Sequence, residues 1–386
     1  MRMFHMADLH IGKKLNHISL LEDQQYMLEQ VVAAIERQQP DVLLLAGDIY
    51  DRRNPSVEAV QLLDAFLSQV VLQCKVPVIA ISGNHDSGER LGFAQGILSR
   101  AGLHIAGRCT LPVPQVVLQD QWGPVVFHQL SYADLATLKY LLQTTDPLDY
   151  QQAMEQVLQT LDLNGDNGVR HVLLAHGVVA GRDGTELEYC DSERELTIGG
   201  TEFWTSSQLE GFSYVALGHL HGCQRSGTDR IRYAGSPLKY SFSEERQQKG
   251  LLQIDLDGSG DIVAEQLPLM PLRDLRTIRG NLQELLQEDV VQAANADDYI
   301  RAILTDYGEL LEPMAQLKEK YPNTVTLERE HQMLAEPMQD GPRIDLQTQT
   351  PEQLFRNFYE QITGSTLTEE ELTVLEECFQ QVREVE

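Results

Sequence analysis

The chain has 386 residues, which is more than one ordinary hydrophobic core holds, so its length predicts two or three domains. It carries 30 Lys and Arg against 58 Asp and Glu, and the net charge of −28 opposes the long-range approach of other polyanions. No apolar stretch reaches the roughly 20 residues of a membrane-spanning helix, and the chain begins in a strand-like run and not in a signal peptide, so we expect a cytoplasmic protein.

Five apolar runs of strand length are each followed closely by a short polar run. The apolar runs are continuous or nearly so, as in strands that are buried on both faces. They occupy residues 3–6, 42–46, 78–81, 172–174 and 214–217, and the polar runs occupy residues 8–10, 47–51, 83–86, 175–177 and 218–221. Because the carboxyl ends of neighbouring strands in an open α/β sheet line a common crevice, we expect the polar runs to meet.

Helical periodicity fills the gaps between these strands. Apolar residues recur at helical spacing over residues 28–35 and again over residues 63–70, in a segment opened by Ser56. A third helix is predicted over residues 89–100. The alternation predicts a doubly wound α/β layer, which is followed by predicted strands at 230–234, 250–255 and 262–266.

The character of the chain changes near residue 270. Residues 271–330 alternate as β-α-β-α-β, which predicts a small domain behind a first domain of residues 1–270. Residues 331–348 mix charge, Pro and Gly without a period and are predicted to be a linker. The predicted elements of the small domain are strands 272–278, 299–304 and 324–327 and helices 281–288 and 312–320.

Two helices are predicted in the last segment, residues 349–386. Thr350 with Gln353 and Thr368 with Glu371 have capping-box spacing, and an apolar stripe follows each box. Such stripes either pack on their own domain or dock on a partner. A two-helix unit behind a linker buries little by itself, which favours docking, for example on a coiled coil. The stripe residues are Leu354, Phe355, Phe358, Ile362, Leu372, Leu375 and Phe379.

The polar runs combine carboxylates, an amide and imidazoles, which together suit manganese, iron or zinc better than calcium or magnesium alone. Seven such side chains are too many for one ion. Two ions about 3.5–4 Å apart, bridged by a shared carboxylate, would use them all and form a clamp for in-line displacement at phosphorus. A lone His-x-His pair more often belongs to an ordinary core, but five coincident runs at strand ends favour a metal site.

The order Asp-x-His, Gly-Asp-x-x-Asp, Gly-Asn-His-Asp, His and Gly-His-x-His resembles the motif set of the calcineurin-like metallophosphoesterase superfamily. The resemblance implies an α/β fold with a layered β-sheet core flanked by helices, then a small α+β capping domain and a C-terminal helical segment that binds a partner. It also implies two sets of metal ligands that share Asp48. The first set is Asp8, His10, Asp48 and His221, and the second set is Asp48, Asn84, His176 and His219.

Two further residues receive catalytic roles from the same resemblance. His85 follows a ligand in sequence but would stand over the scissile phosphate, where it stabilises charge or protonates the leaving oxygen. Asp51 would orient His85, in the way that a carboxylate fixes a histidine tautomer.

Further segments extend the resemblance over nearly the whole chain, to the SbcD family of bacterial DNA-repair nucleases. They are residues 194–200, 233–237, 241–244 and 351–355. This resemblance implies a manganese-dependent DNA phosphodiesterase for repair and recombination, an exonuclease on duplex ends and an endonuclease on single strands and hairpins. It implies a homodimer formed through helices near the site. It also implies the ATPase SbcC as partner, bound through residues 349–386 in a heterotetramer with two copies of each subunit.

The acidic balance is unusual for a protein that acts on DNA. Two divalent ions and nearby Lys and Arg side chains would offset it locally, although each such side chain is equally well explained as a solvated surface charge. A basic partner is therefore expected to supply most of the nucleic-acid surface. The candidate DNA contacts are Lys13, Lys14, Arg52, Arg53 and Arg90.

Two other functions stay open from the sequence. A small-molecule phosphomonoesterase or cyclic-nucleotide phosphodiesterase would use the same metal site, but it would leave the segment beyond residue 270 unexplained. An inactive scaffold for the ATPase is the other alternative, and its signature would be a missing ligand.

Overall fold

The computed structural model describes residues 1–161, 163, 168–181, 187–194 and 203–330. Beyond residue 330 it describes Gln353, Phe355, Arg356, Tyr359, residues 366–368, Glu371, Leu372, Leu375 and Phe379. The chain divides into two compact units, a first unit of Met1–Leu275 and a second unit of Arg276–Glu386. Among the described residues, none of the helices combines the length and the apolar character needed to span a membrane.

Strands are the main elements of both units. In chain order they are β1 (Arg2–Met6), β2 (Lys14–Leu15), β3 (Ile18–Ser19), β4 (Val42–Ala46), β5 (Val78–Ile81), β6 (Leu103–Ala106), β7 (Gln115–Asp120), β8 (Gly123–Leu130), β9 (Arg170–His176), β10 (Val178–Ala180), β11 (Phe203–Thr205), β12 (Tyr214–Gly218), β13 (Gln224–Ser226), β14 (Thr228–Tyr233), β15 (Gly250–Leu256), β16 (Ile262–Pro268), β17 (Leu275–Gly280), β18 (Tyr299–Leu304) and β19 (Thr324–Arg329).

The helices lie between these strands. In chain order they are α1 (Leu21–Gln38), α2 (Val57–Ser68), α3 (Gly88–Leu91), α4 (Gln95–Leu98), α5 (Leu135–Leu141), α6 (Tyr150–Gln159), α7 (Asp191–Arg194), α8 (Leu282–Leu285), α9 (Glu288–Gln292) and α10 (Pro313–Lys320).

The first unit contains two six-stranded sheets. In the first sheet, the strand order is β16-β15-β1-β4-β5-β6. The four strands β1, β4, β5 and β6 are parallel, whereas β15 and β16 are antiparallel additions. In the second sheet, the order is β13-β14-β12-β9-β8-β7, and the four central strands are parallel. The single doubly wound layer expected from the alternation of elements is therefore wrong. The coarser α/β class with a layered sheet core flanked by helices is confirmed.

The two sheets pack face to face through one hydrophobic core. Leu44 and Ile79 of the first sheet lie in the same buried cluster as Val172, Leu174 and Ala216 of the second. The alternate residues of β9 point the other way, because side chains alternate along a strand, and they pack with α5 and α6. Strands buried on both faces explain why the apolar runs of the sequence are continuous.

The two longest helices of the first unit follow their sequence signals. α1 buries the predicted apolar stripe, and the Ser56 hydroxyl caps α2 by accepting a hydrogen bond from Ala59 N at 3.3 Å. The single helix predicted over residues 89–100 is wrong. The structure has the short helices α3 and α4 there, since Ala94 between them takes a left-handed conformation with φ of 57°.

The second unit is described mainly over residues 276–330. It forms a three-stranded sheet of order β17-β18-β19, with a core that includes Leu285, Ile300, Ala302 and Leu317. The predicted strand 299–304 has the bounds of β18, whereas the predicted helix 281–288 is shorter, as α8, and is followed by a separate α9.

Part of the last segment is described as well. The Glu371 carboxylate accepts a hydrogen bond from Thr368 N at 2.8 Å, and Glu371 N donates to Thr368 Oγ1 at 3.4 Å, so this predicted capping box is confirmed. The rings of Phe355 and Phe379 pack edge to face at 6.5 Å, and Leu375 is buried. Outside the described residues lie Thr350, Leu354, Phe358, Ile362 and the predicted linker 331–348.

Candidate metal centre

The five polar runs come together at the carboxyl ends of strands from both sheets. The first three runs follow β1, β4 and β5 of the first sheet, and the last two follow β9 and β12 of the second. Main-chain hydrogen bonds join neighbouring runs, from Asp8 N to Gly47 O and from His10 N to Asp48 O, both at 3.0 Å. The crevice expected from the sequence is thus an edge shared by two packed sheets.

Asp48 lies at the centre of this edge. Its Oδ2 atom is 3.7 Å from His10 Nε2 and 3.4 Å from His176 Nε2, while Oδ1 accepts a hydrogen bond from His85 N at 2.9 Å. One carboxylate therefore faces histidines from both predicted ligand sets.

The remaining side chains of the first set lie on one side of Asp48. His10 Nε2 and His221 Nε2 are 3.2 Å apart, and donor atoms of both residues lie within 4.8 Å of an Asp8 carboxylate oxygen. Both Asp8 oxygens also accept hydrogen bonds from His219 N, at 2.9 and 3.1 Å. This side therefore presents one carboxylate and two imidazoles in addition to Asp48.

The second set surrounds the amide of Asn84. Asn84 Oδ1 is 3.0 Å from His176 Nε2 and 3.2 Å from His219 Nδ1. The structure thus brings together all seven side chains that the sequence singled out, which we call the ligand cluster. Its members are Asp8, His10, Asp48, Asn84, His176, His219 and His221.

The backbone is strained where it places this cluster. Asp8, His10, Asp48 and His219 have φ angles of 54°, 44°, 49° and 105°, a region that residues other than glycine rarely adopt. Close packing adds a further constraint, since a Cβ atom on Gly83 would lie 2.2 Å from Asp48 Oδ1. The glycine at position 83 in the third polar run is therefore required by the geometry of the site.

Burial and mutual attraction shift the pKa values of the carboxylates and histidines in the cluster strongly and in different directions. Burial raises the pKa of Asp8 to about 7 and lowers the pKa of His219 to about 3. Burial also opposes charge on Asp48 and His176, but their mutual attraction lowers the pKa of Asp48 well below its usual range and raises the pKa of His176 to about 9. Divalent cations would take the place of these protons, so the donor set and its electrostatics fit a metal site.

His85 is the most accessible histidine of the site. Its side chain is 28% exposed, and its Nε2 atom lies 4.0 Å from Asp48 Oδ2. Its Nδ1 atom lies 2.9 Å from the main-chain oxygen of Asp51. The carboxylate of Asp51 instead pairs with Lys13 Nζ at 3.0 Å and lies 3.7 Å from His10 Nδ1. Asp51 thus contacts His85 through its carbonyl group, which differs from the carboxylate contact expected from the sequence.

The candidate DNA contacts fall in different surroundings. Lys13 is tied to Asp51 and lies 5.6 Å from the ring centre of Tyr240, whereas the Arg52 side chain is 78% exposed. Arg53 lines a cleft of about 500 Å³ that also includes Asn84. Lys14 is exposed on β2. Arg90 lines an apolar cleft beside α2 in which no member of the ligand cluster takes part.

Four buried charged residues near the cluster had no role assigned from the sequence. Asp86 accepts hydrogen bonds from Ile49 N, Tyr50 N and Gly83 N at 2.9–3.0 Å, so it ties the second polar run to the third. The sequence signal that could have identified Asp86 is its position inside the third polar run, residues 83–86. Glu244 lies in a segment that carried the family resemblance. Glu193 and Lys249 have no local pattern that marks them. The four residues are Asp86, Glu193, Glu244 and Lys249.

Family models and a known protein match most of the chain. The calcineurin-like phosphoesterase family model matches residues 1–223, and a C-terminal domain model described as type 5 capsule protein repressor matches residues 271–363. The SbcD nuclease subunit of the SbcCD complex of Staphylococcus epidermidis is 32% identical over 369 residues, which cover 96% of this chain and 95% of the relative.

The solved structures that match the chain have lower sequence identity to it. A dimetal phosphatase from Danio rerio is 14% identical with a TM-score of 0.40, and it covers 69% of this chain and 98% of its own. A protein from Thermus thermophilus is 12% identical with the same TM-score and the same coverage. The assignment rests on the sequence matches: the chain belongs to the calcineurin-like phosphoesterases and, within them, to the SbcD family of SbcCD nuclease subunits.

Proposed function

We propose that this protein is a metal-dependent DNA phosphodiesterase, an exonuclease on duplex ends and an endonuclease on single strands and hairpins, that serves DNA repair and recombination. The observation that carries the proposal is the convergence of six ligand side chains around a seventh, Asp48, in a chain of the SbcD family. Because all seven are in place, no feature of the described residues favours an inactive scaffold. The relative's coverage of 96% of the chain favours a nuclease over a small-ester phosphatase.

The ligand cluster would hold two divalent ions, which we propose to be Mn²⁺. The first set, with Asp8, His10 and His221, would hold one ion, and the second set, with Asn84 and its histidines, the other. When bound, the metal ions would supply Lewis-acid charge for the phosphate and an activated water. Asp48 belongs to both sets because its carboxylate faces a histidine of each.

His85 would donate a proton to the leaving group. A carbonyl oxygen only accepts hydrogen bonds, so the contact with Asp51 O places a hydrogen on His85 Nδ1. To act as a general acid, His85 would have to be an imidazolium with a second proton on Nε2, which it would give to the leaving 3′ oxygen; its exposure and its position beside Asp48 place it next to the cluster. Asp51 positions His85 through its main chain, while its carboxylate balances Lys13 and faces His10.

A nucleic-acid strand would enter past Lys13, Arg52 and Arg53, which lie closest to the ligand runs in sequence. Arg53 and Asn84 line the same cleft, which has a volume of about 500 Å³ and would give the strand a path to the ligand cluster. The net charge of −28 opposes tight binding by this subunit alone. We therefore propose that the ATPase SbcC supplies most of the DNA-binding surface, in a heterotetramer with two copies of each subunit. The stripes of residues 349–386 would bind it.

A homodimer is part of this proposal. Large apolar side chains are exposed on α2, α4 and the segments next to them, where Val57 is 68%, Phe93 79% and Ile97 75% exposed. Phe93 also lines an apolar cleft of about 720 Å³, together with residues of α2 and α4 such as Val60 and Leu98. Exposed apolar clusters of this kind mark interaction sites, and this one is suited to a second copy of the chain.

Free thiols at Cys109 and Cys190 fit a reducing compartment such as the cytoplasm.

The experiment that tests the proposal is a cleavage assay with end-labelled hairpin, single-stranded and blunt duplex DNA. Each substrate is incubated with Mn²⁺, with Mg²⁺ or with EDTA, in the presence and absence of SbcC, alongside p-nitrophenyl phosphate and a cyclic nucleotide. We expect Mn²⁺-dependent DNA cleavage, stimulation by SbcC and little turnover of the small esters. Rapid turnover of the small esters without DNA cleavage would contradict the nuclease assignment.

A further inference from the structure

His221 is held from behind by a buried carboxylate. Its Nδ1 atom lies 3.2 Å from Glu244 Oε1, while Nε2, on the other side of the ring, lies 3.2 Å from His10 Nε2. Both His221 and Glu244 are buried. Because an ionised carboxylate only accepts hydrogen bonds, this contact places the ring hydrogen on Nδ1 and directs the free electron pair of Nε2 into the ligand cluster.

The Glu244 carboxylate is itself fixed by several donors. Its Oε2 atom accepts from Lys249 Nζ at 2.7 Å and from Ser236 Oγ at 3.3 Å, and its Oε1 atom accepts from Ser241 Oγ at 3.1 Å. Ser236, Ser241 and Lys249 together hold the Glu244 carboxylate in one orientation, with its Oε1 atom facing His221.

Lys249 and Glu193 hold the main chain of the same histidine. Lys249 Nζ donates to His221 O at 2.9 Å, and the Glu193 carboxylate accepts a hydrogen bond from His221 N. Side chain and main chain of His221 are thus fixed by three buried charged groups, Glu193 from one segment of the chain and Glu244 and Lys249 from another. Burying three charges is costly unless they are paired, so their convergence on one histidine points to a specific task.

The second ligand set is supported differently. His176 Nδ1 lies 2.8 Å from the main-chain oxygen of Ala46, which is part of strand β4. No side-chain charge is involved in that contact. A change at Glu244 should therefore affect the first set and leave the second set in place.

We propose that Glu244, neutralised by Lys249, is the positioning residue of the first metal-ligand set: it holds His221 with hydrogen on Nδ1 and thereby raises the affinity of that set for its ion. The proposal rests on the two-metal site described under the proposed function. Carboxylates behind metal-binding histidines typically raise metal affinity by about 10- to 100-fold.

The test is a Mn²⁺ titration of the full chain, followed by calorimetry and by electron paramagnetic resonance. Glu244→Gln keeps the shape of the side chain and removes its charge. Glu265→Gln, an exposed position on β16, is the matched control. We expect two tight equivalents in the wild type and the control, and one tight plus one about 10- to 100-fold weaker equivalent in Glu244→Gln. At one equivalent the variant should give the signal of isolated Mn²⁺ and not that of a coupled pair.

Wild-type affinity for both equivalents in Glu244→Gln would overturn the proposal. Equal weakening of both would also overturn it, because that result means a general structural defect. Fewer than two equivalents in the wild type would instead contradict the two-metal site of the proposed function.

A second measurement is made on the wild type and does not depend on how Glu244→Gln folds. Nitrogen chemical shifts of ¹⁵N-histidine-labelled protein loaded with Zn²⁺ report which ring atom carries hydrogen, and a sample of His221→Gln identifies the His221 signals. We expect hydrogen on Nδ1 and metal on Nε2. The opposite arrangement would overturn the role of Glu244.

Discussion

Apart from His5, which pairs with the Tyr214 hydroxyl, the buried histidines described in the first unit form two groups that differ in what surrounds them. In the ligand cluster, His10, His176, His219 and His221 surround the carboxylates of Asp8 and Asp48 at the ends of strands. The other group is the pair of His128 and His171, which lie within the neighbouring strands β8 and β9 and not at their carboxyl ends. Their rings stack at 5.3 Å, and His128 Nε2 lies 3.0 Å from His171 Nδ1.

The two histidines share a hydrogen bond, in which the ring nitrogen of one residue donates and that of the other accepts. Its neighbours are an amide and an aromatic ring, with Gln115 Nε2 3.4 Å from His128 Nδ1 and Phe212 packed edge to face at 5.7 Å. The ligand cluster differs in its carboxylates, its strand-end position and its strained backbone. Burial of histidine therefore does not by itself indicate a metal site, whereas these three features together do.

The largest effect that would test this difference is expected from Asp48→Ala. Because Asp48 faces histidines of both ligand sets, its removal should release both ions and abolish DNA cleavage, while the protein stays folded. Metal content by mass spectrometry, DNA cleavage and circular dichroism check the three parts. Retention of two metal equivalents would contradict the shared-ligand role.

The next effect separates chemistry from metal binding. His85→Asn should keep the wild-type metal content, because His85 lies at the exposed side of Asp48 and outside both ligand sets. Turnover of single-stranded DNA should fall by about 10²- to 10⁴-fold, the usual cost of removing a general acid. Loss of metal in this variant would make His85 a ligand.

A third change addresses the histidine pair. His128→Gln should leave metal content and DNA cleavage unchanged. It should lower the free energy of unfolding by about 1–3 kcal/mol, because a buried hydrogen bond to His171 is lost. Urea denaturation in EDTA, compared between the variant and the wild type, measures this. A fall in metal content would mean that the pair is part of a metal site.

The smallest expected effect is on the pH dependence of stability. Burial, with the nearby His171, lowers the pKa of His128 to about 4, below the value near 6.5 of an unfolded chain. The unfolded state then binds the proton first, so this residue should cost stability as the pH falls from about 6.5 towards 4. Between pH 7 and pH 5, the wild type should lose about 2 kcal/mol more than His128→Gln in urea denaturation. An equal loss in both proteins would show that His128 titrates normally.

Much of the fold was predictable because its strands are short, apolar and bounded by polar residues. The predicted strands 42–46 and 78–81 have the bounds of β4 and β5. The division into two sheets was not predictable, since a continuous apolar run shows that a strand is buried on both faces but not which strand lies beside it. The break at Ala94 was missed for a related reason: alanine is a good helix former, and its left-handed conformation has no sequence signal.

The candidate site also has features that the sequence predicts and features that it does not. Residues that share a motif could be grouped from the sequence, and the structure brings the seven together. The support of His221 could not be predicted, because Glu244 and Glu193 lie 23 and 28 residues away and reach it only through the fold. The contact of His85 with the carbonyl group of Asp51 was also unpredictable, since every residue has such a group.

The most direct test of the account is an anomalous diffraction measurement at the manganese edge on crystals grown with Mn²⁺. We predict two peaks within the ligand cluster, with the Asp48 carboxylate between them and His221 bound through Nε2, and no peak at His128 and His171. A single peak, or two peaks that do not share Asp48, would contradict the central claim that two packed sheets build one binuclear metal centre.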